Sequence, residues 1–351
     1  MENLTPSVSF DDVLLVPKYS NIKSRSEISL EVDLENIPSI KLPIFSSPMD
    51  TVTEGAVAYR MAKSGGIGIV HRYNTPDEQA LIVSEVSEKF ENTSTQGYRS
   101  VGAAVGVTGD YLERAEKVFN AGARLICVDV AHGDHILAVE AVKSIRKAFG
   151  NRVHIMAGNV ATREGFDTLA SAGANSVRVG IGGGSICSTR IQTGHGVPTL
   201  QSVFDCARSE FAGDVKIVAD GGIKTSGDIV KALGAGADAV MVGSLLAGTT
   251  EAPGEVIHRG GSVFKTYRGM ASVEAQIDWR GHASSEEGVS TIIPSKGPLR
   301  NVLAALEKGI RSGLSYSGAL NIVELQVKGQ FIRITPAGMS ESRTHILDKT
   351  N

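Results

Sequence analysis

The sequence predicts an α/β fold, a (β/α)8 TIM barrel, and two observations carry that expectation. Eight short apolar runs recur along the chain, nearly continuous rather than alternating, as strands buried on both faces of a parallel sheet require. Most are separated by a stretch of helical periodicity, and three such stretches close on a similar glycine phrase.

The runs are Pro43–Ser47, Ile67–Val70, Ser100–Val105, Leu125–Ala131, Val153–Gly158, Ser176–Gly180, Lys216–Gly221 and Ala239–Ser244. Leu112–Ala121 and Asp228–Leu233 exemplify the helical stretches. Ala121-Gly122-Ala123, Ala172-Gly173-Ala174 and Ala235-Gly236-Ala237 end helices just before the next run, where glycine suits the left-handed closing residue. An open doubly wound sheet is the alternative, but eight units without a break favour closure. All 351 residues are read as one catalytic domain, since barrels run past about 250 residues as a single unit. Two segments fall outside the repeat. Tyr267–Gly297 is too long for a barrel loop and reads as a mobile flap over a site. Phe331–Asn351 reads as a polar tail, either a subunit contact or partly disordered.

Composition narrows the function. A net charge of −3 without basic runs gives no footprint for nucleic acid or a membrane surface. No apolar run reaches spanning length, and the N-terminus lacks the pattern of a signal peptide. Three cysteines, an odd and sparse count, argue against a disulfide framework, so a cytoplasmic location is expected. No His/Cys/Asp cluster has zinc spacing.

Barrel catalysis sits at the C-terminal strand ends. There the sequence places Ser46–Asp50, then Asp129 with Ala131–Asp134, then Gly158-Asn159, the loop Gly180–Arg190, Asp220–Gly222, and Gly243-Ser244. The glycines either make tight turns or let backbone N–H groups approach a phosphate. Cys187 lies in a polar, Gly-rich loop beside Ser188, Thr189 and Arg190, a setting for a nucleophilic thiolate rather than a core cysteine. Cys127, within an apolar strand, and Cys206, on a helix, suit the core. His132 and His195 are each a ligand, a base or simply solvated.

Five motifs, GIGGGSICSTR (180–190), SSPMDTVTE (46–54), ADGGI (219–223), GSLLAGT (243–249) and YRGM (267–270), together resemble the IMP dehydrogenase/GMP reductase family along almost the whole chain. The resemblance implies a 6-oxopurine ribonucleotide at the barrel mouth, with Cys187 adding to C2 of the base. Ser185, Asp220, Gly222, Gly243, Ser244 and Tyr267 would hold phosphate and ribose. Met49, Gly269 and Met270 would contact the base, supported by Ser47. Asp129, Ala131, Gly158 and Asn159 would line the nicotinamide site of NAD or NADPH. Carbonyls of Gly182, Gly184 and Cys187 resemble the family's monovalent-cation (K+) loop, completed by Glu341-Ser342 of a neighbour, which implies a homotetramer.

Two activities share the adduct. SSPMDTVTE, HRYNTPDEQ (71–79), KGPL (296–299) and AGMSESRTH (337–345) lean toward the dehydrogenase, and His71-Arg72 departs from the reductases' His-Lys. The dehydrogenase's regulatory CBS modules have no room between Val70 and Ser100. Its flap normally carries an Arg-Tyr pair whose arginine activates water. Here Arg280 is followed by Gly281, and no Arg-Tyr occurs between Met270 and Gly288. Losing a general base typically costs about 10²–10⁴-fold, so the sequence favours GMP reductase, with IMP dehydrogenase as the alternative if Arg280 substitutes. Glu287-Gly288 matches the family's Glu-Gly, and Glu287 would complete a Thr189–Glu287 proton relay, with Glu286 as the other register.

Overall fold

A computed structural model of the chain describes residues 6–91, 100–283 and 287–342. Eight parallel strands form a closed barrel in chain order. They are β1 (Ile44–Ser46), β2 (Ile67–Val70), β3 (Val101–Val105), β4 (Leu125–Asp129), β5 (His154–Val160), β6 (Ser176–Val179), β7 (Lys216–Asp220) and β8 (Ala239–Val242). Ile44 to Ser46 pair in register with Val240 to Val242, so β1 and β8 close the ring and the open-sheet alternative is excluded. Every expected apolar run holds one strand, because each is flanked by neighbours and covered by helices on its outer face.

Helices follow the strands. Tyr111–Asn120 turns Ala115 and Val118 into the core, and Ser226–Gly234 opens on a capping box between Thr225 and Asp228. The recurring glycine phrase has a second cause besides left-handed closure. Gly122 and Gly236 have φ of +113° and +114°, and a Cβ would lie 2.2 Å from Ser87 Oγ and 2.5 Å from Ala207 Cβ respectively. Here the chain turns against the neighbouring helix with no space for a side chain.

Between β8 and the final barrel helix, Leu299–Tyr316, the described residues of the excursion carry regular elements that begin earlier than Tyr267. Val256–Arg259, Ser262–Arg268 and Ser290–Pro294 form a three-stranded antiparallel sheet, and Val273–Arg280 is a helix capped by Ser272. Ser262–Arg268 buries alternate residues, Lys265 and Tyr267, so this strand follows a period of two rather than the continuous pattern of the barrel. The tail also begins as structure. Phe331–Arg333 pairs antiparallel with Val13–Leu15, and Phe331 meets Phe204 edge-on at 5.0 Å, an apolar anchor in an otherwise polar segment. Residues 343–351 lie outside the described residues. No described helix is long and apolar enough to cross a membrane.

One buried polar pair ties fold stability to pH. His154 on β5 is fully buried, with Nε2 2.8 Å from Ser176 Oγ and Nδ1 2.9 Å from the Glu35 carbonyl. Burial pushes its pKa down to about 4. The unfolded chain therefore binds the proton first as pH falls. The stability is fully present above the unfolded value of about 6.5 and is lost as pH falls toward 4. This histidine alone should remove about 2 kcal/mol between pH 7 and pH 5. Urea midpoints of the parent and of His154→Gln at the two pH values check this: the variant should lose distinctly less, and equal losses would refute it.

Candidate active site

The C-terminal strand ends surround a cavity of about 340 Å³, within the range of small-molecule sites. Its wall includes Ser47, Met49, Asp129, Ala131, Asn159, Gly182, Gly184, Ser185, Cys187, Thr189, Asp220, Gly222, Gly243, Ser244, Tyr267, Gly269, Met270 and Glu287. Of the residues expected to meet nucleotide, nicotinamide or cation from this chain, Gly158 is set back from the wall. A Cβ there would fall 2.6 Å from Arg178 Cβ, so this glycine lets β5 and β6 approach beneath the arginine. Gly243 sits where a Cβ would lie 3.2 Å from Met49 Sδ, 3.3 Å from Ser47 Oγ and 3.5 Å from the Tyr267 hydroxyl. That backbone is bare toward the cavity, as an anion-binding turn requires.

Cys187 follows the glycine loop that leaves β6. Its thiol donates to Thr189 Oγ1 at 3.2 Å, and the Thr189 hydroxyl donates to Glu287 Oε2 at 2.8 Å. The flap sets that register. Ser188 N–H donates to the Glu287 carbonyl at 3.1 Å, and Val289 N–H to the Ile186 carbonyl at 3.1 Å, so 287–289 runs antiparallel to 186–188. Gly288 permits it: a Cβ there would press on Ser272 N at 2.9 Å. Glu286, the other register, lies outside the described residues. On the far side of the loop Ser185 Oγ and the Tyr267 hydroxyl are 3.3 Å apart, and burial pushes the Tyr267 pKa up, keeping the phenol neutral. Burial also pushes Cys127 and Cys206 up to about 12, which leaves both as inert thiols.

Sequence reasoning missed Arg178, which organises the floor. It donates from Nη1 to Asp129 Oδ1 at 2.5 Å and from Nη2 to Asp220 Oδ2 at 2.8 Å. Asn159 Nδ2 donates to the same Asp220 oxygen at 2.9 Å. Burial alone would lower the arginine pKa, but the two carboxylates more than offset it and hold it well above its usual value. The available signal was a single charge inside the apolar run SVRVG. Arg72 and Tyr73 were missed as wall residues too. Arg72 packs 5.5 Å from the Trp279 ring and donates to the Asp129 carbonyl at 3.3 Å, while Tyr73 stacks on Trp279 at 4.2 Å.

Arg280 is placed elsewhere. It ends the flap helix, donates to the His282 carbonyl at 3.1 Å and to Gln276 Oε1 at 2.5 Å, and is not part of the cavity wall. Glu341 and Ser342 are exposed at the end of Pro336–Glu341 and also stand off the wall. His132 and His195 are exposed and outside it as well.

The model of the IMP dehydrogenase / GMP reductase domain matches residues 7–345. The chain belongs to the IMP dehydrogenase/GMP reductase family. It is an NAD(P)-dependent oxidoreductase of that family. The inosine-5'-monophosphate dehydrogenase of Nitrosopumilus maritimus is 36% identical over 466 residues, covering 96% of this chain and 98% of that protein. The GMP reductase of Leishmania major is 32% identical over 485 residues, covering 99% of each. Both alignments exceed the 351 residues of this chain, so these relatives carry inserted residues that it lacks. A solved GMP reductase from Trypanosoma brucei, a cysteine-to-alanine variant in complex with guanosine 5'-monophosphate, superposes with a TM-score of 0.91 at 32% identity, covering 98% of both chains. Relatives of both activities thus match at similar identity.

Proposed function

We propose that this chain is a GMP reductase, converting GMP, NADPH and two protons to IMP, NADP+ and ammonium. The observation that carries this reading is the position of Arg280, the flap arginine, which engages Gln276 and His282 rather than the cavity. Hydrolysis of a purine–cysteine adduct needs a base for water, whereas expulsion of ammonia needs an acid. The Cys187–Thr189–Glu287 chain supplies an acid.

The thiol proton passes through the Thr189 hydroxyl to Glu287, and the freed thiolate bonds to C2 of the purine as the C2=N3 electron pair moves to N3. Glu287 returns the proton through Thr189 to the 2-amino group. The C2–N bond breaks, ammonia leaves, and C2=N3 reforms with sulfur still attached. A bound reduced nicotinamide would supply the hydride for C2. Collapse of the resulting carbon centre then expels the Cys187 thiolate and releases IMP. Ser185, Gly222, Gly243, Ser244 and Tyr267 would hold the phosphate, and Asp220 the ribose. Met49, Gly269 and Met270 would bracket the base with Ser47 behind. Asp129, Ala131 and Asn159 line the wall after β4 and β5, with Gly158 set behind, and would hold the nicotinamide. The carbonyls of Gly182, Gly184 and Cys187 would suit K+, with a neighbour's Glu341 and Ser342 completing the site in a homotetramer.

IMP dehydrogenase is the second reading, favoured by Arg72, a guanidinium on the cavity wall beside Asp129. Absorbance of the reduced cofactor separates the two. Loss with GMP and NADPH, and no gain with IMP and NAD+, is expected; the converse would overturn the reductase reading.

A further inference from the structure

The loop that carries Cys187 leaves β6 at Gly180 and returns at Val197, eighteen residues counted from the sequence, with its ends bridged between Ile181 and Val197. Arg190 lies in the short helix Thr189–Thr193, is exposed, and is not part of the cavity wall. Its side chain crosses back through the base of the loop. Nη2 donates to the Val197 carbonyl at 2.6 Å and to the Ile181 carbonyl at 3.2 Å. Its stem runs between two glycines. A Cβ on Gly182 would lie 2.5 Å from Arg190 Cγ, and one on Gly196 2.6 Å from Nε. Both glycines have positive φ, +76° and +155°, so the sequence has cleared a channel of arginine width.

We propose that Arg190 is a positioning residue for the nucleophile. Its guanidinium staples the outgoing and returning arms of the loop and thereby fixes the turn holding Cys187 and Thr189 against Glu287. The next residue toward the N-terminus is Thr189, whose hydroxyl touches both the Cys187 thiol and Glu287 Oε2. The staple's two bonds are charge-assisted and share one donor nitrogen, so both arms move together. Thr193 Oγ1 donates to the Thr189 carbonyl at 2.8 Å, which carries that constraint along the short helix. Of the residues assigned to the phosphate, Ser185 lies within the stapled loop, whereas Gly222, Gly243, Ser244 and Tyr267 stand after β7, after β8 and on the flap strand and are not tied by this staple.

The effect should therefore appear in the chemical step. Misplacement of a reacting group by about 1 Å costs roughly 10²-fold. The inference rests on Cys187 being the nucleophile, which the alanine variant of Cys187 tests separately. If that variant keeps turnover, the nucleophile reading fails. If it loses turnover, Arg190 is judged on its own data.

The experiment compares the parent with Arg190→Met and Arg190→Lys in steady-state assays of whichever nucleotide reaction the protein performs, with thermal midpoints alongside. Arg190→Met should lower kcat about 10- to 100-fold and leave the nucleotide KM within about threefold. Arg190→Lys keeps a stem between the glycines and a cation for the carbonyls, and should recover most of that loss. A kcat within about twofold of the parent in Arg190→Met would overturn the proposal. So would a rise in KM alone, or equal loss in both variants accompanied by a fall of the thermal midpoint beyond about 5 °C, which would mark general packing.

Discussion

Cys187→Ala should lower turnover of either nucleotide reaction by roughly 10³-fold or more, while nucleotide affinity stays within about threefold. On the proposed covalent route, removing the sulfur removes the purine–cysteine bond, and the Thr189–Glu287 pair loses the thiol that Thr189 contacts. Apart from Ser185, the wall residues expected to hold phosphate and ribose lie outside the Cys187 loop, after β7 and β8 and on the flap strand, so binding has its own supports. Calorimetric titration of the variant with GMP, beside the rate assay, reads both quantities. Turnover within tenfold of the parent would remove the covalent route, and loss of binding together with turnover would point to collapse of the loop instead.

Arg178→Met should carry the largest stability loss of any single change at the site, about 3–5 kcal/mol. The substitution roughly conserves volume but leaves Asp129 and Asp220, both on the cavity wall, without the buried cation between them, Asp129 keeping the longer Arg72 pair at 3.7 Å. The loss should be smaller in the double variant Arg178→Met with Asp129→Asn, because one uncompensated charge is gone. Urea unfolding measures it. An unchanged midpoint in the single variant would mean that water already neutralises the pair, and equal losses in single and double variants would mean that charge is not the cause.

The barrel was legible because its strands are buried on both faces. IGIV at 67–70 and VGAAV at 101–105 leave no polar position to confuse with a loop. Cys187 was legible for the opposite reason, a thiol among glycines and hydroxyls where the core has no use for one. Arg178 was hidden by its own run. A strand inside a barrel points one set of side chains into the centre, and a sequence does not say which set reaches the mouth. The flap sheet was hidden because Val256–Arg259 is largely exposed and carries only a weak alternation. Arg280 exposes a different limit. Its position in the chain made it a substitute for the missing arginine, but the helix cap at Ser272 and the partner at Gln276 turn it away, and both are contacts of geometry rather than order.

The stack of Trp279 on Tyr73 at the cavity rim has an experimental use. Trp279 is the single tryptophan in the chain, so tryptophan emission, excited selectively, comes from one known place, at the junction of the flap helix and the β2 loop. The protein thus carries its own unlabelled optical probe, with a tyrosine and the Arg72 guanidinium as its immediate neighbours, and its emission reads the seating of the flap without any added dye.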